Sequence, residues 1–268
     1  MQKDMTKIIF FDIDGTLVSL KTHRTAPMVK EAIKRLQDKG ILCFVASGRS
    51  MKAINDMPIS DIDFDGYITL NGQLGYMKDR QTTIYEFPFD QKTTSSLVKV
   101  FDEKKISLML VEKERAYHNI INEKTITTYR MLGSKSDLDI PGCDTYQGAA
   151  IFQAYTYVDP KSDDQSYKEY LPKDGITYKS WATGCIDIVR SDISKVEGIK
   201  KILEYYDISK DATMAFGDAG NDMEMLGFCA ISVAMGNADT SIKKIADYVT
   251  TDVDDKGVYK ALAHFGLI

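Results

Sequence analysis

The apolar pattern begins with an uninterrupted run, Ile8-Ile9-Phe10-Phe11, that ends abruptly at Asp12-Ile13-Asp14-Gly15-Thr16. Consecutive apolar residues of this kind predict a strand buried on both faces, over Lys7 to Phe11. Pro27 then opens a stretch with Val29, Ala32, Ile33 and Leu36 at helical spacing, and Gly40 closes it. Proline suits the first turn of a helix and glycine the position past its end. Ile41 to Ala46 predicts a second buried strand, Met51 to Met57 a short helix, and Tyr67 to Leu70 a third strand. Apolar strands alternating with amphipathic helices predict a parallel sheet covered by helices on both faces.

After Asn71-Gly72 the pattern changes. Gln73 to Phe89 predicts a hairpin turning at Lys78 to Gln81. From about residue 90 to 180 helical stretches mix with Tyr- and Thr-rich strands, such as Leu108 to Val111, Ile151 to Tyr157 and Cys185 to Val189. Past Ser191 the earlier rhythm returns: helix Val196 to Tyr206, strand Thr213 to Phe216, helix Asn221 to Leu226, strand Cys229 to Val233. Helix Asp239 to Ala246, a short strand Tyr248 to Thr250 and a closing helix Lys256 to His264 follow. The expected fold class is therefore α/β, a doubly wound, mostly parallel Rossmann-like sheet. Residues 1–82 and 191–268 would form it, with an α+β domain inserted at 83–190. In such sheets ligands bind beyond the carboxyl ends of the strands.

Composition narrows the function classes. The 268 residues are 44% apolar, enough for a packed core, and no run approaches the roughly 18 apolar residues of a membrane span. A formal net charge of -5 argues against a nucleic-acid backbone as partner. No secretory signal is visible at the N-terminus. Cys43, Cys143, Cys185 and Cys229 lack the CxxC spacing of zinc or redox sites, so reduced thiols and a cytoplasmic location are expected.

The chemistry-bearing residues sit where the strands end. Asp12 and Asp14 point roughly the same way, because strand side chains alternate faces. Their repulsion raises the pKa of one unless a cation intervenes, so the pair can supply a nucleophile and a proton donor around a divalent metal. An ordinary acidic βα turn is the plainer reading. Ser47-Gly48 after the second strand suits an anion, or simply a helix cap. Gly217-Asp218-Ala219-Gly220-Asn221-Asp222 could present a carboxylate to a metal, or form an acidic cap with turn glycines. Lys195 by itself reads as a solvated lysine at a helix start. Gathered at one sheet edge, the set matches phosphoryl transfer.

Taken in order, Asp12-Ile13-Asp14-Gly15-Thr16, Ser47, Lys195 and Gly217 to Asp222 resemble the four motifs of the haloacid dehalogenase superfamily. Chain length, the large insert and the Gly217 to Asp222 segment resemble its Cof-type sugar-phosphatase branch. One departure is that Val196-Glu197-Gly198 follows Lys195, where the family often has glycine at once. The resemblance implies a Mg²⁺-dependent phosphomonoester hydrolase acting on small soluble phosphates, chiefly sugar phosphates. Asp12 would attack phosphorus and become an aspartyl-phosphate. Asp14 would protonate the leaving oxygen and then deprotonate water. Mg²⁺ would be held by the Asp12 carboxylate, the Asp14 backbone carbonyl and the Asp218 carboxylate. The backbones of Ile13 and Gly48, with Ser47, Lys195 and Asn221, would hold phosphate oxygens, and Asp222 would orient Lys195 or a metal-bound water.

An aspartate at position 14 separates the chain from the superfamily's cation pumps and dehalogenases. The insert would act as a cap that selects the leaving group, with Trp181, Cys185 and Asp187 as pocket candidates. Arg49 faces the phosphate or braces its loop, and Asn71 touches substrate or serves a turn. Two other functions share the scaffold: a phosphosugar mutase, and a catalytically silent phosphate-ligand sensor. The expected partner is a small phosphorylated molecule, with neither nucleic acid nor membrane involved, and a monomer is compatible with the sequence.

Overall fold

Residues Ile8–Phe11 form strand β1 with all four side chains buried, as the centre of a sheet covered on both faces requires. The computed structural model describes residues 6–131, 140–158, 167–182 and 184–268. The chain divides into two compact units, Met1–Glu86 with Ser194–Ile268, and Phe87–Ile193.

In the first unit β1 is followed by α1 (Pro27–Gln37), β2 (Leu42–Ala46), α2 (Met51–Asn55), β3 (Gly66–Thr69), β4 (Leu74–Met77) and β5 (Thr83–Glu86). The second unit contains α3 (Gln91–Glu103), β6 (Leu108–Glu112), β7 (Ala116–His118), α4 (Glu123–Met131), β8 (Ile151–Tyr157), α5 (Tyr167–Tyr170), β9 (Ile176–Ala182) and β10 (Cys185–Arg190). The first unit then resumes with α6 (Lys195–Tyr206), β11 (Thr213–Gly217), α7 (Met223–Phe228), β12 (Ile231–Ala234), α8 (Thr240–Ile245), β13 (Tyr248–Val249) and α9 (Gly257–His264).

The first unit is an α/β fold whose sheet runs β13-β12-β11-β1-β2-β3-β4-β5. From β13 to β3 the pairings are parallel, and β4 and β5 close the edge antiparallel. Phe11 lies opposite Phe216 on one side and Val45 on the other, and the rings of Phe11 and Phe216 stack 5.1 Å apart. The chain builds outward from β1 through β2 and β3, then returns to lay β11 on its other side. Strand order thus reverses at β1, the position at which sheets of this kind bind ligands, and the loops leaving β1 and β11 lie side by side there. Helix α1 turns Val29, Ala32, Ile33 and Leu36 inward.

Three boundaries differ from the sequence expectation. Thr83–Glu86 belongs to the core sheet as β5, paired to β4, so the inserted unit begins at Phe87 and ends at Ile193 rather than spanning 83–190. Asn221 lies in a short 3₁₀ turn, Gly220–Asp222, ahead of α7. Cys229 is a buried turn residue whose N–H reaches back to Met225 O, and β12 starts at Ile231.

The inserted unit is α+β, with a five-stranded antiparallel sheet ordered β7-β6-β8-β10-β9. Leu108, Leu110, Ala154, Ile186 and Ile188 of its sheet form one core with Leu97, Val100 and Phe101 of α3. Alternation puts His118, Met109, Tyr155, Asp187 and Lys179 in one row across the strands, on the opposite face. Among the described residues no helix is long and apolar enough to cross a membrane.

Candidate active site

The turn leaving β1 is wound around one carbonyl. Ile13 O accepts the N–H groups of Thr16, Leu17 and Val18, while the Ile13 N–H donates to no acceptor among the described residues. Gly15 takes φ +87°, and a Cβ there would collide with the Asp218 carboxylate. The turn therefore brings the Asp12 loop against the β11 loop, and Asp12 ends up almost wholly buried.

Lys195 is placed by a helix cap. Ser194 and Glu197 form a capping box, with Ser194 N–H donating to Glu197 Oε2 at 3.1 Å, so α6 starts at Lys195. The lysine is fully buried, and its Nζ donates to Asp12 Oδ1 and to Asp222 Oδ1, each at 2.6 Å. The other oxygen of Asp222 accepts the N–H groups of Asp218 and Ala219 at 3.0 Å. Asp222 thereby ties its own loop to the lysine. Gly217 makes this possible, since a Cβ there would lie 2.6 Å from Asp222 Cβ and Cγ.

Asp218 is gripped from both sides. Thr16 Oγ1 donates to its Oδ1 at 2.9 Å, and Asn237 Nδ2 to its Oδ2 at 3.3 Å. Oxygens of Asp12, Asp218 and Asp222 all lie within 4.8 Å of one another. The Asp14 side chain turns elsewhere: Arg49 forks it, Nε to Oδ2 at 2.6 Å and Nη2 to Oδ1 at 2.9 Å. Ser47 is buried, its Oγ accepting the Arg49 N–H at 3.2 Å. Gly48 lies against the Asn71 carboxamide, which Asn221 Nδ2 approaches at 3.5 Å. Leu70 and Asn71 both hold left-handed φ, 52° and 57°, with their N–H groups bonded to Arg49 O and Ser47 O. Such backbone costs about 1–3 kcal/mol per residue and persists only where its surroundings enforce it.

Electrostatics suit a cation that is not a side chain. Burial first, and then Asp222, holds the Asp12 carboxyl well above the usual range against the pull of Lys195. Burial and Asp222 likewise push Asp218 up to about 7. Burial alone would depress the Lys195 ammonium, but Asp12 and Asp222 outweigh it and its pKa rises. Fully ionised, four carboxylates (Asp12, Asp14, Asp218, Asp222) face the cations Lys195 and Arg49, a deficit that one divalent ion would fill. All the donors are oxygens, which fits a hard cation such as Mg²⁺. Asp222 gives one oxygen to the Lys195 ammonium and the other to two backbone N–H groups, whereas Asp12 is bonded through Oδ1 alone and Asp218 meets only one neutral donor per oxygen, so Asp12 and Asp218 are the better-suited carboxylates.

The family model for haloacid dehalogenase-like hydrolases matches residues 9–262. The chain belongs to this family. It is 30% identical to the putative phosphatase YkrA of Bacillus subtilis, over 98% of this chain and 99% of that protein. With the 5-amino-6-(5-phospho-D-ribitylamino)uracil phosphatase YitU of the same organism it shares 25% identity, covering 96% and 97%. Among solved structures, the HAD subclass IIB sugar phosphatase BT4131 superposes with a TM-score of 0.82 at 32% identity, covering 98% of this chain and 100% of that one. BT1666 from Bacteroides thetaiotaomicron gives 0.84 at 28%, covering 98% and 96%.

In this haloacid dehalogenase-like chain the structure brings Asp12, Lys195, Asp218 and Asp222 into one buried cluster, and puts Ser47, Gly48, Asn71 and Asn221 along one neighbouring rim. Arg49 is paired with the Asp14 carboxylate in this structure. Thr16 stands in the Asp12 to Thr16 motif but no role follows for it from the sequence, and Asn237 has no local pattern to mark it, for they act on Asp218 across 202 and 19 residues. Of the insert candidates, Cys185 is buried within hydrogen-bonding distance of Thr128 Oγ1, at 3.3 Å, and Asp187 is buried in β10. The Trp181 side chain lies outside the described residues.

Proposed function

We propose that this chain is a Mg²⁺-dependent phosphatase of small phosphomonoesters, chiefly sugar phosphates, working through an aspartyl-phosphate on Asp12. The observation that carries the proposal is the buried Asp12–Lys195–Asp222 triad with Asp218 beside it, at the carboxyl end of the central strand. The likeness to proteins named as phosphatases, one of them a sugar phosphatase, supports the substrate class.

Asp12 attacks phosphorus as the bond to the leaving oxygen breaks, and that oxygen takes a proton from Asp14. Water then attacks the phosphorus of the aspartyl-phosphate, returns a proton to Asp14, and frees Asp12 and inorganic phosphate. Lys195 fixes the plane of the Asp12 carboxylate through Oδ1 and offers positive charge to the phosphate oxygens. Ser47, Asn221 and the N–H groups of Ile13 and Gly48 are assigned to the same oxygens. The Asp12 and Asp218 carboxylates with the Asp14 carbonyl are the proposed ligands of Mg²⁺, which when bound neutralises charge on the phosphoryl group. The inserted unit, Phe87–Ile193, is assigned the selection of the leaving group, and small phosphates of the cytoplasm are the proposed pool.

A chromogenic phosphomonoester tests the reading: turnover is expected with Mg²⁺, and loss of turnover with EDTA. Asp12→Asn should be inactive yet folded, and wild-type turnover in that variant would contradict the assignment. With a hexose 1-phosphate, free phosphate is the expected product, and formation of the 6-phosphate would point to a mutase.

A further inference from the structure

Beyond β12 the chain makes a tight turn fixed by backbone. Met235 N–H donates to Gly217 O, Gly236 N–H to Thr251 O and Ala238 N–H to Met235 O, each at 3.0 Å. Asn237 sits inside this turn, and its side chain joins three loops. Its Nδ2 donates to Gly15 O at 2.8 Å and to Asp218 Oδ2 at 3.3 Å, and its Oδ1 accepts the Val253 N–H at 2.9 Å. Partner chemistry settles the orientation of the amide. A backbone N–H can only donate, whereas a carbonyl and a carboxylate can only accept, so a flipped amide would oppose all three contacts.

One side chain therefore spans the ends of β1, β11 and β13, and two of those loops carry proposed metal ligands. Gly15 O belongs to the residue directly after Asp14. Asp218, crowded by Asp12 and Asp222 within 4.8 Å, has like charge pushing it away. Thr16 holds one of its oxygens and Asn237 the other. Neutral donors on a carboxylate fix its direction without cancelling the charge a metal needs.

We infer that Asn237 is a positioning residue for the divalent cation, setting the separation of the Asp14 turn and the Asp218 carboxylate without touching the ion. The inference rests on the reading of Asp218 as a metal ligand proposed above. Removing the amide should leave Asp218 held by Thr16 alone and let the two loops drift apart. Loss of an outer-shell partner of this kind costs about 10–100-fold in metal affinity.

The test is direct Mn²⁺ binding to the substrate-free chain, followed by the electron paramagnetic resonance signal of free Mn²⁺. Asn237→Ala should raise Kd by about 10–100-fold, and raise the Mg²⁺ concentration for half-maximal turnover by a similar factor. Thr16→Val, which removes the other donor at nearly constant shape, should shift Kd in the same direction. If Asn237→Ala does not fold, Asn237→Ser, whose hydroxyl is too short to reach Asp218, takes its place. A folded variant at 237 with wild-type Kd and only a lower melting temperature would overturn the inference, because Asn237 would then merely hold the fold. Wild-type protein with no saturable Mn²⁺ binding would overturn the metal site itself, and the inference with it.

Discussion

In the first unit a lysine is fully buried and bonded to two carboxylates, whereas in the second a histidine is just as buried and its ring nitrogens bond to nothing among the described residues. The difference follows from how each sheet ends. Parallel strands deliver their C-terminal loops to one edge, so charged side chains from β1, α6 and β11 meet there and satisfy one another. In the antiparallel sheet of the insert neighbouring strands end at opposite edges, and His118, the last residue of β7, is enclosed by the rings of Tyr129 and Tyr157, at centroid distances of 6.1 and 5.6 Å. Burial thus keeps charge where partners exist and suppresses it where they do not. Lys195 is held protonated, and the His118 imidazole is pushed down to about 4.

Breaking the pairing in the first unit should have the largest effect. Lys195→Met leaves Asp12 and Asp222 facing each other without a cation, and stability at pH 7 in EDTA should fall by about 3–5 kcal/mol in urea unfolding. Adding Asp12→Asn to that variant should restore part of the loss. Equal stability of Lys195→Met and wild type would mean that the pairing does not hold the site together.

The effect at His118 should be somewhat smaller and should depend on pH. Its folded pKa lies below the unfolded value near 6.5, so the unfolded chain binds the proton more readily between the two. Stability from this group is complete above about pH 6.5 and drains away as pH falls toward 4, by about 3 kcal/mol in all. His118→Phe should flatten that part of the stability profile, and an unchanged profile would show that the imidazole is solvated after all.

The smallest change in stability is expected at the half-exposed Arg49–Asp14 pair, under about 1 kcal/mol for Arg49→Ala. Its kinetic signature should be sharper. An arginine that positions a proton donor matters for alkyl phosphates, whose leaving oxygen needs the proton. It matters little for nitrophenyl phosphate. Arg49→Ala and Asp14→Asn should therefore share a selective loss, up to about 10²–10⁴-fold with alkyl esters. An equal loss with both ester classes would place Arg49 on the phosphate instead.

Legibility in the sequence divides along the same line. Ile8-Ile9-Phe10-Phe11 before two aspartates, Pro27 opposite Gly40, and the glycines around Asp218 each couple a local pattern to a position at a strand end, so the doubly wound core and its acidic cluster could be read directly. Lys195 was legible only through the family's motif order, because a capping box looks alike whether its lysine is buried or solvated. The inserted unit offered less. β7, three residues long, is too short to show a period, whereas α3 has Leu97, Val100 and Phe101 at helical spacing behind an Asp90 cap, and Ile176 to Lys179 alternates as the edge strand β9 should. Contacts made across long separations, Thr16 to Asp218 and Asn237 to Gly15, exist only once the strands are ordered. Asn71 before Gly72 is an ordinary left-handed turn signal, but the left-handed Leu70 is enforced by its tertiary hydrogen bond to Arg49 O and has no signature in the sequence.

The central claim is that the buried carboxylate beside Lys195 is the nucleophile. Protein quenched during turnover of a phosphomonoester with Mg²⁺, then reduced with borohydride and sequenced by mass spectrometry, tests it most directly. An aspartyl-phosphate on Asp12 would be recovered as homoserine at position 12 and nowhere else, and Asp12→Asn would show none. Steady turnover with Asp12 unmodified, or reduction at Asp14, Asp218 or Asp222, would contradict the account.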